Sequence, residues 1–211
     1  MRRIKKNHFL LLGISHKTAP VEIREKFYFD NSARCTVLRD IHSIPGVDEC
    51  VLLSTCNRTE IYTVISEPLE EVRKKLEDFI LNISSSNKEI LNYFYYHQGN
   101  NVIEHLFKVS SGLDSMILGE PQIFGQVKDA YSTACDNKCT GPTINRLFHH
   151  AFRVGKLIRN NTSIGEGAVS VSLAAVELAK SIFRNLNGRS VLLIGAGKTG
   201  ELSAKHLTES G

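Results

Sequence analysis

Residues 49–65 read ECVLLSTCNRTEIYTVI and predict two neighbouring antiparallel strands joined by a short turn. Residues 49–54 form a nearly continuous apolar run, and residues 60–65 alternate in polarity, which is typical of strands. The polar connection between them carries Cys56. A rigid scaffold presents functional side chains where its strands end, so this turn is the first candidate for a functional site.

Further elements extend this hairpin in both directions along the chain. Residues 8–14 (HFLLLGI) predict a buried strand and residues 91–97 (LNYFYYH) a fourth strand, while apolar residues at helical spacing predict helices over 32–44 and 69–83. The order strand, helix, strand, strand, helix, strand is that of a split, ferredoxin-like βαββαβ unit. We therefore expect an α+β fold.

The second half of the chain is predicted to be mainly helical. Helices are expected over 102–110, 123–136 and 142–159, followed by a spacer helix over 170–184. The run SVLLI at residues 190–194 predicts a parallel-type strand that leads into a last helix. This strand and helix would be the first βα unit of a Rossmann domain.

A glycine-rich turn connects that strand to that helix. Gly195, Gly197 and Gly200 form GxGxxG, in which the glycines permit the tight turn and let the backbone approach a dinucleotide pyrophosphate. A P-loop is excluded because its first glycine would stand at Leu192, whereas a βα turn without a ligand stays open. The candidate cofactor-binding residues are Gly195, Ala196, Gly197, Lys198, Thr199 and Gly200.

Composition and charge limit the classes of protein that this chain can belong to. Of 211 residues, 42% are hydrophobic and 23% charged, an ordinary composition that does not favour a disordered chain. The net charge of +4 suits a polyanionic partner without requiring one. Five cysteines rule out a complete intrachain disulfide framework, and no run reaches the length of a membrane span. We expect a cytoplasmic protein with reduced thiols and no membrane segment. Cys135 and Cys139 are four residues apart but lack two further ligands at matching spacing, so we predict no metal site.

Cys56 has two interpretations from its surroundings alone. It is either a small buried residue in a turn or a thiol whose reactive thiolate is favoured by the nearby guanidinium of Arg58. Neither its position nor its neighbours decide between these alternatives.

Five segments of the chain together resemble the glutamyl-tRNA reductase family. They are GISHKTAPVEIRE (13–25), STCNRTEIY (54–62), SGLDSMILGEPQIFGQVKDAY (111–131), AVSVSLAAVELA (168–179) and VLLIGAGKTGELSAKHL (191–207). This resemblance implies NADPH-dependent reduction of glutamyl-tRNA(Glu) to glutamate-1-semialdehyde with release of tRNA, the first step of five-carbon tetrapyrrole (porphyrin, haem) synthesis. The alternatives are a tRNA-binding module without catalysis and a thiol hydrolase.

The resemblance also assigns roles to individual residues. Cys56 is implied to be the nucleophile that forms a thioester, and Arg58 to bind the side-chain carboxylate of the glutamyl group. His105 is implied to assist catalysis, although a histidine among apolar neighbours can be structural, and His16 is expected to shape its loop. The implied substrate-binding residues are Thr55, Cys56, Asn57, Arg58, Ser115, Glu120, Pro121, Gln122 and Gln126; helix capping is an alternative role for those around Pro121.

The resemblance divides the chain into three parts. We expect a catalytic domain over 1–163, a linker and the start of a spinal helix over 164–187, and a truncated NADPH-binding domain over 188–211. The chain is therefore expected to bind NADPH weakly or not at all and to retain at most esterase activity. Homodimerisation in the family uses a region beyond this chain, so we expect a monomer, and glutamate-1-semialdehyde aminomutase is the implied partner for product channelling.

Overall fold

The computed structural model describes residues 8–165, 171–195 and 197–210. Within them, four strands form one antiparallel sheet in the order β2-β3-β1-β4. The predicted strands over 8–14, 49–54 and 60–65 are confirmed, with slightly longer bounds. The strands are β1 (His8–Ser15), β2 (Val47–Ser54), β3 (Arg58–Ile65) and β4 (Tyr95–Gln98).

Helices account for most of the remaining described chain. The predicted helices over 32–44, 69–83, 102–110, 123–136, 142–159 and 170–184 are all present with small changes at their ends. Three short 3₁₀ segments, Glu25–Phe27, Lys88–Tyr93 and Ser163–Gly165, accompany them. The α-helices are α1 (Val21–Arg24), α2 (Asn31–His42), α3 (Leu69–Ser84), α4 (Asn100–Ser111), α5 (Gln122–Asp136), α6 (Pro142–Asn161), α7 (Val171–Phe183) and α8 (Lys198–Glu209).

The sheet lies at the centre of the core. All eight residues of β3 are buried, so both faces of the sheet are covered, as expected for a strand with packed layers on each side. Tyr62 of β3 contacts Phe148 of α6 edge to face, with ring centroids 5.7 Å apart. This packing joins the helices of the second half of the chain to the hairpin that carries Cys56.

A buried carboxylate fixes the start of α6. Glu49 of β2 accepts hydrogen bonds from the backbone N–H groups of Gly141 (3.0 Å), Thr143 (3.2 Å) and Ile144 (2.6 Å). These are donors that a helix N-terminus leaves without intrahelical partners, and a negative charge there is favourable. Pro142 at the first helical position has no N–H to satisfy. The sheet therefore sets where α6 begins.

Two predictions of strands are corrected by the structure. Residues 91–97 are only partly a strand: the 3₁₀ segment Lys88–Tyr93 has its own local hydrogen bonds, and only Tyr95–Gln98 pairs with β1. The predicted strand over 190–194 is wrong, because no described strand lies beside it to supply hydrogen bonds. Its apolar side chains are instead exposed, Ile194 at 89%.

None of the described helices is both long and apolar enough to cross a bilayer.

Candidate active site

Cys56 lies in a tight turn between β2 and β3. The Thr55 backbone N–H donates to the Arg58 carbonyl (2.8 Å), and the Thr55 hydroxyl accepts from the backbone N–H groups of Asn57 (3.2 Å) and Arg58 (3.1 Å). The His16 backbone N–H also donates to the Asn57 carbonyl (2.9 Å). The five cysteines all lie in the described part of the chain, and Cys56 is the exposed one.

The turn forms one wall of a small pocket whose empty volume, its open mouth included, is about 300 Å³. The opposite wall comes from the segment that joins α4 to α5 and from the first turns of α5. The lining residues are Thr55, Cys56, Asn57, Arg58, Ser115, Met116, Glu120, Gln122, Ile123 and Gln126.

Eight of the predicted site residues therefore meet around one pocket, although the two segments are more than fifty positions apart in the sequence. Pro121 and His105 do not line it. Pro121 immediately precedes α5 without a side-chain cap hydrogen bond.

One polar group in this pocket lacks a protein partner. The Ser115 hydroxyl oxygen is buried and makes no hydrogen bond within the described residues. Buried polar groups in native proteins are nearly always paired, so an unpaired one calls for an explanation such as a ligand. A substrate carbonyl or carboxylate in the pocket would supply the missing partner.

The electrostatic surroundings of Cys56 differ from those predicted. Burial by surrounding protein atoms and the Glu120 carboxylate raise the pKa of the Cys56 thiol, whereas a backbone hydrogen bond and the Arg24 guanidinium lower it. The prediction that Arg58 favours the thiolate is wrong, because its guanidinium is held elsewhere. At neutral pH the group is therefore mainly a thiol, and it must lose its proton when it attacks.

Arg58 belongs to a buried network behind the turn. Its side chain is 1% exposed, and Nη1 lies 2.8 Å from Glu60 Oε1 and 3.0 Å from Asp114 Oδ2. Nη2 also donates to the Asp114 carbonyl, and Asp114 pairs with Lys17. Arg58 thus connects the Cys56 turn to the residue before Ser115.

Glu60 is the centre of this network and is fully buried. Besides Arg58, it accepts from the hydroxyls of Tyr62 and Tyr95, each at 2.5 Å, and lies 2.8 Å from His105 Nε2. Burial alone would raise the pKa of Glu60, but Arg58 and His105 outweigh it and hold this pKa well below its usual range. Glu60 is therefore a permanent buried carboxylate.

Arg58 and His105 share this network. Arg58 already binds two carboxylates, and His105 contacts Glu60 instead of the pocket. Both residues support the Cys56 turn and the Ser115 segment from behind. The contact with Glu60 supports a positioning role for His105, and its expected catalytic role stays a prediction.

Sequence reasoning missed Glu60 and Asp114. A detectable signal was present in β3, where Arg58, Glu60 and Tyr62 occupy alternate positions and therefore lie on one face of the strand. Charged side chains on one face of a strand that is otherwise apolar indicate a buried polar network. Asp114 gives no such signal, because only the fold brings it to Arg58.

The glycine turn retains part of the shape that a dinucleotide requires. Gly195 has a φ of +110°, and Gly197 directly precedes α8. A Cβ at Gly200 would lie 2.5 Å from the Gly195 carbonyl oxygen, so the helix packs on the turn as closely as glycine allows. These features fit the pyrophosphate end of a dinucleotide. Ala196, another predicted cofactor residue, lies outside the described residues.

Within the described residues, no group of three or more His, Cys, Asp or Glu side chains is arranged to hold a metal ion. Cys139 is buried next to Cys50, and the Cys139 carbonyl accepts from the Cys50 backbone N–H (2.7 Å). This pair belongs to the core.

Two family models match the chain in different places. Residues 12–162 match the N-terminal domain of glutamyl-tRNA(Glu) reductase. Residues 177–211 match shikimate/quinate 5-dehydrogenase, which points to a dinucleotide-binding region. The first match contains the whole pocket, and the second contains the glycine turn.

Individual relatives agree with the first model. Glutamyl-tRNA reductase of Syntrophotalea carbinolica is 48% identical over 95% of this chain and 45% of its own length. Glutamyl-tRNA reductase of Pelotomaculum thermopropionicum is 47% identical over 96% of this chain and 46% of its own length. The solved structure of glutamyl-tRNA reductase from Methanopyrus kandleri superposes with a TM-score of 0.69 at 36% identity, covering 96% of this chain and 47% of that one. The chain spans about half the length of the curated relatives it matches.

Proposed function

Because this chain belongs to the glutamyl-tRNA reductase family, we propose that its pocket takes the glutamyl group of glutamyl-tRNA(Glu) for NADPH-dependent reduction to glutamate-1-semialdehyde. The observation that carries this proposal is the exposed Cys56 thiol, which shares a pocket with the unpaired buried hydroxyl of Ser115. Such a site has a nucleophile next to a hydrogen-bond donor, which is what acyl transfer to an enzyme requires.

The first step is transfer of the glutamyl group. The sulfur of Cys56 attacks the ester carbonyl, its C–S bond forms as the ester C–O bond breaks, and the tRNA hydroxyl leaves with the proton. Ser115 donates a hydrogen bond to the acyl group, and the Glu120 carboxylate binds the α-ammonium group of the substrate. Gln122 and Gln126 supply further amide groups along the same wall.

Arg58 is the cation at the base of the pocket, and we assign it to the side-chain carboxylate of the glutamyl group. A substrate carboxylate there would take over contacts that Asp114 now makes, while Glu60 keeps the guanidinium in place from behind. Lys17 offers Asp114 a second cation. Bidentate pairing of a guanidinium with a carboxylate suits this specificity.

The turn at Gly195, Gly197 and Gly200 is the part of the chain that would hold NADPH, by its pyrophosphate. When bound there, NADPH would supply the hydride for reduction of the acyl group to the aldehyde. In the absence of NADPH, water would slowly remove the thioester, so we propose a slow glutamyl-tRNA esterase activity for this chain. Deacylation no faster than the uncatalysed control would contradict this proposal.

The decisive experiment is mass spectrometry of the chain, quenched after incubation with glutamyl-tRNA. We expect one glutamyl group on the peptide that contains Cys56, and none in a Cys56→Ser variant or in wild-type protein given uncharged tRNA. Cys35→Ser is the matched control, because Cys35 lies outside the pocket. Unmodified Cys56 in a protein that still binds tRNA would favour the alternative of a tRNA-binding module without catalysis.

The finer fold assignment is part of the same proposal. The element order and the strand order β2-β3-β1-β4 support a ferredoxin-like unit over residues 8–98. The domain boundaries, the monomeric state and the aminomutase partner stay predictions.

A further inference from the structure

Helix α6 carries an unusual excess of positive charge. Between Pro142 and Asn161 it contains Arg146, Arg153, Lys156 and Arg159 and no aspartate or glutamate. Its net charge of +4 equals that of the whole 211-residue chain. The helix is thus a local concentration of positive charge.

Three of these cations lie on the exposed side of α6. Arg146, Arg153 and Lys156 are exposed, whereas Ile144, Leu147, Phe148, Ala151 and Gly155 on the opposite side are buried. No described carboxylate lies within 4 Å of any of the three, and none of them has a hydrogen-bond partner among the described residues. We call these three residues the α6 basic face.

Cations elsewhere on the surface are compensated differently. Arg73 pairs with Glu77 at 2.9 Å, and Lys108 pairs with Glu104 at 2.7 Å, each within one helix. Among the residues that the structure describes, the α6 basic face has no such partner. Its charges are therefore available to an external polyanion.

The helix also leads to the pocket. Near its C-terminal end, Arg159 Nη2 donates to the Glu120 carbonyl (2.8 Å), and the guanidinium lies 5.4 Å from the centre of the Phe124 ring. Glu120 lines the Cys56 pocket. A polyanion that follows the basic face towards Arg159 would therefore bring its end to Cys56.

The dimensions suit a nucleic-acid backbone. Ten residues separate Arg146 from Lys156, which corresponds to about 15 Å along a helix, enough to span several phosphates of one strand of a duplex. We propose that the α6 basic face binds the phosphate backbone of the tRNA acceptor stem and so directs the aminoacylated 3′ end into the pocket. This inference rests on the proposed function, which makes glutamyl-tRNA the substrate.

Charge removal on the exposed face tests the inference with little risk to folding. The variant is Arg146→Gln, Arg153→Gln and Lys156→Gln combined, and the control combines Arg39→Gln, Lys74→Gln and Lys88→Gln, which removes the same charge at exposed positions elsewhere. The probe is uncharged tRNA(Glu), its binding followed by fluorescence anisotropy over a series of KCl concentrations. Losing three phosphate contacts should reduce the slope of log affinity against log salt by about 2 to 3 and lower affinity on the order of 100-fold at 0.15 M salt.

Three outcomes are informative. Weakened binding with a reduced slope, confined to the α6 variant, supports the inference, whereas equal affinities and slopes in all three proteins overturn it. Wild-type binding to anionic phospholipid vesicles as tight as to tRNA, and lost in the α6 variant, would overturn the RNA assignment in favour of a membrane surface.

A small substrate separates this inference from the proposed function. Glutamyl-adenosine ester presents the acyl group without the tRNA stem, so the α6 variant should acylate Cys56 with it at the wild-type rate. If wild-type Cys56 is not acylated by this ester or by glutamyl-tRNA, the proposed function fails. In that case, the tRNA affinities of the wild type, the α6 variant and the control still test whether the α6 basic face binds tRNA.

Discussion

Replacing Glu60 by glutamine should destabilise the protein strongly although it changes one atom. The fully buried Glu60 carboxylate compensates Arg58, whose side chain is 1% exposed, and accepts from two tyrosine hydroxyls. Removing one partner of a buried ion pair costs about 3–5 kcal/mol. Because Asp114 still pairs with Arg58 at 3.0 Å, we expect the free energy of unfolding to fall by about 3 kcal/mol, the lower end of this range.

The effect can be measured by urea unfolding at pH 7. A loss of about 3 kcal/mol corresponds to a midpoint lower by roughly 1.5 M when the slope is about 2 kcal/mol per molar urea. The matched control is Glu104→Gln in α4, which removes an exposed carboxylate paired with Lys108. Exposed pairs often contribute nothing measurable, so its midpoint should equal that of the wild type.

The pH dependence gives an independent check of the cause. The pKa of Glu60 is lowered in the folded protein, so its ionisation stabilises the fold fully above the unfolded value of about 4.3 and less as the pH falls below it. The difference in the free energy of unfolding between wild type and Glu60→Gln should therefore become smaller at acidic pH. A variant whose midpoint stays at the wild-type value at pH 7 would refute the network described here.

Three further predictions concern the pocket and its supporting loop. Glu120→Gln removes a charge that raises the pKa of the Cys56 thiol, so alkylation of Cys56 by iodoacetamide at pH 8 should become about two- to threefold faster; an unchanged rate contradicts this. Ser115→Ala removes a hydroxyl that has no protein partner, so thermal stability should be kept while acylation by glutamyl-tRNA slows about three- to tenfold; equal losses of both would mean a structural role. Gly119→Ala places a Cβ 2.0 Å from a backbone carbonyl oxygen at a φ of +79°, so the free energy of unfolding should fall by more than about 1 kcal/mol. The control Gly125→Ala in α5 places a Cβ that meets nothing within 4 Å, so its free energy of unfolding should be unchanged or higher.

Periodicity in the sequence was sufficient to predict most elements of the fold, and the two errors have specific causes. Residues 91–97 are rich in aromatic side chains typical of strands, but the backbone N–H of Phe94 donates locally to the Leu91 carbonyl (3.0 Å), which leaves only the last residues for β1. Residues 190–194 have the apolar pattern of a central parallel strand. Such a segment forms a strand only when an adjacent strand supplies hydrogen-bond partners. The sequence of the segment itself does not show whether an adjacent strand is present.

The composition of the pocket was predictable only through resemblance. The motif around Cys56 indicates the proposed nucleophile, but nothing in composition or spacing places Ser115 and Gln126 opposite it. Proximity in the sequence was misleading for Arg58, two positions after Cys56: in an extended strand its side chain enters the core next to Glu60. The direction of a side chain depends on the register and packing of the sheet.

The buried network also explains how a pocket made from distant segments can be rigid. Replacing a buried ion pair by apolar residues is often neutral or stabilising, so stability alone does not account for Arg58 and Glu60. Their contacts reach three segments: the Cys56 turn, the residues before Ser115 and the strand that carries Tyr95. Apolar packing would hold these segments together without fixing their register, whereas directed hydrogen bonds fix both distance and angle. A thioester-forming site requires that fixed geometry, because the sulfur and the hydrogen-bond donor must reach one carbonyl group at the same time.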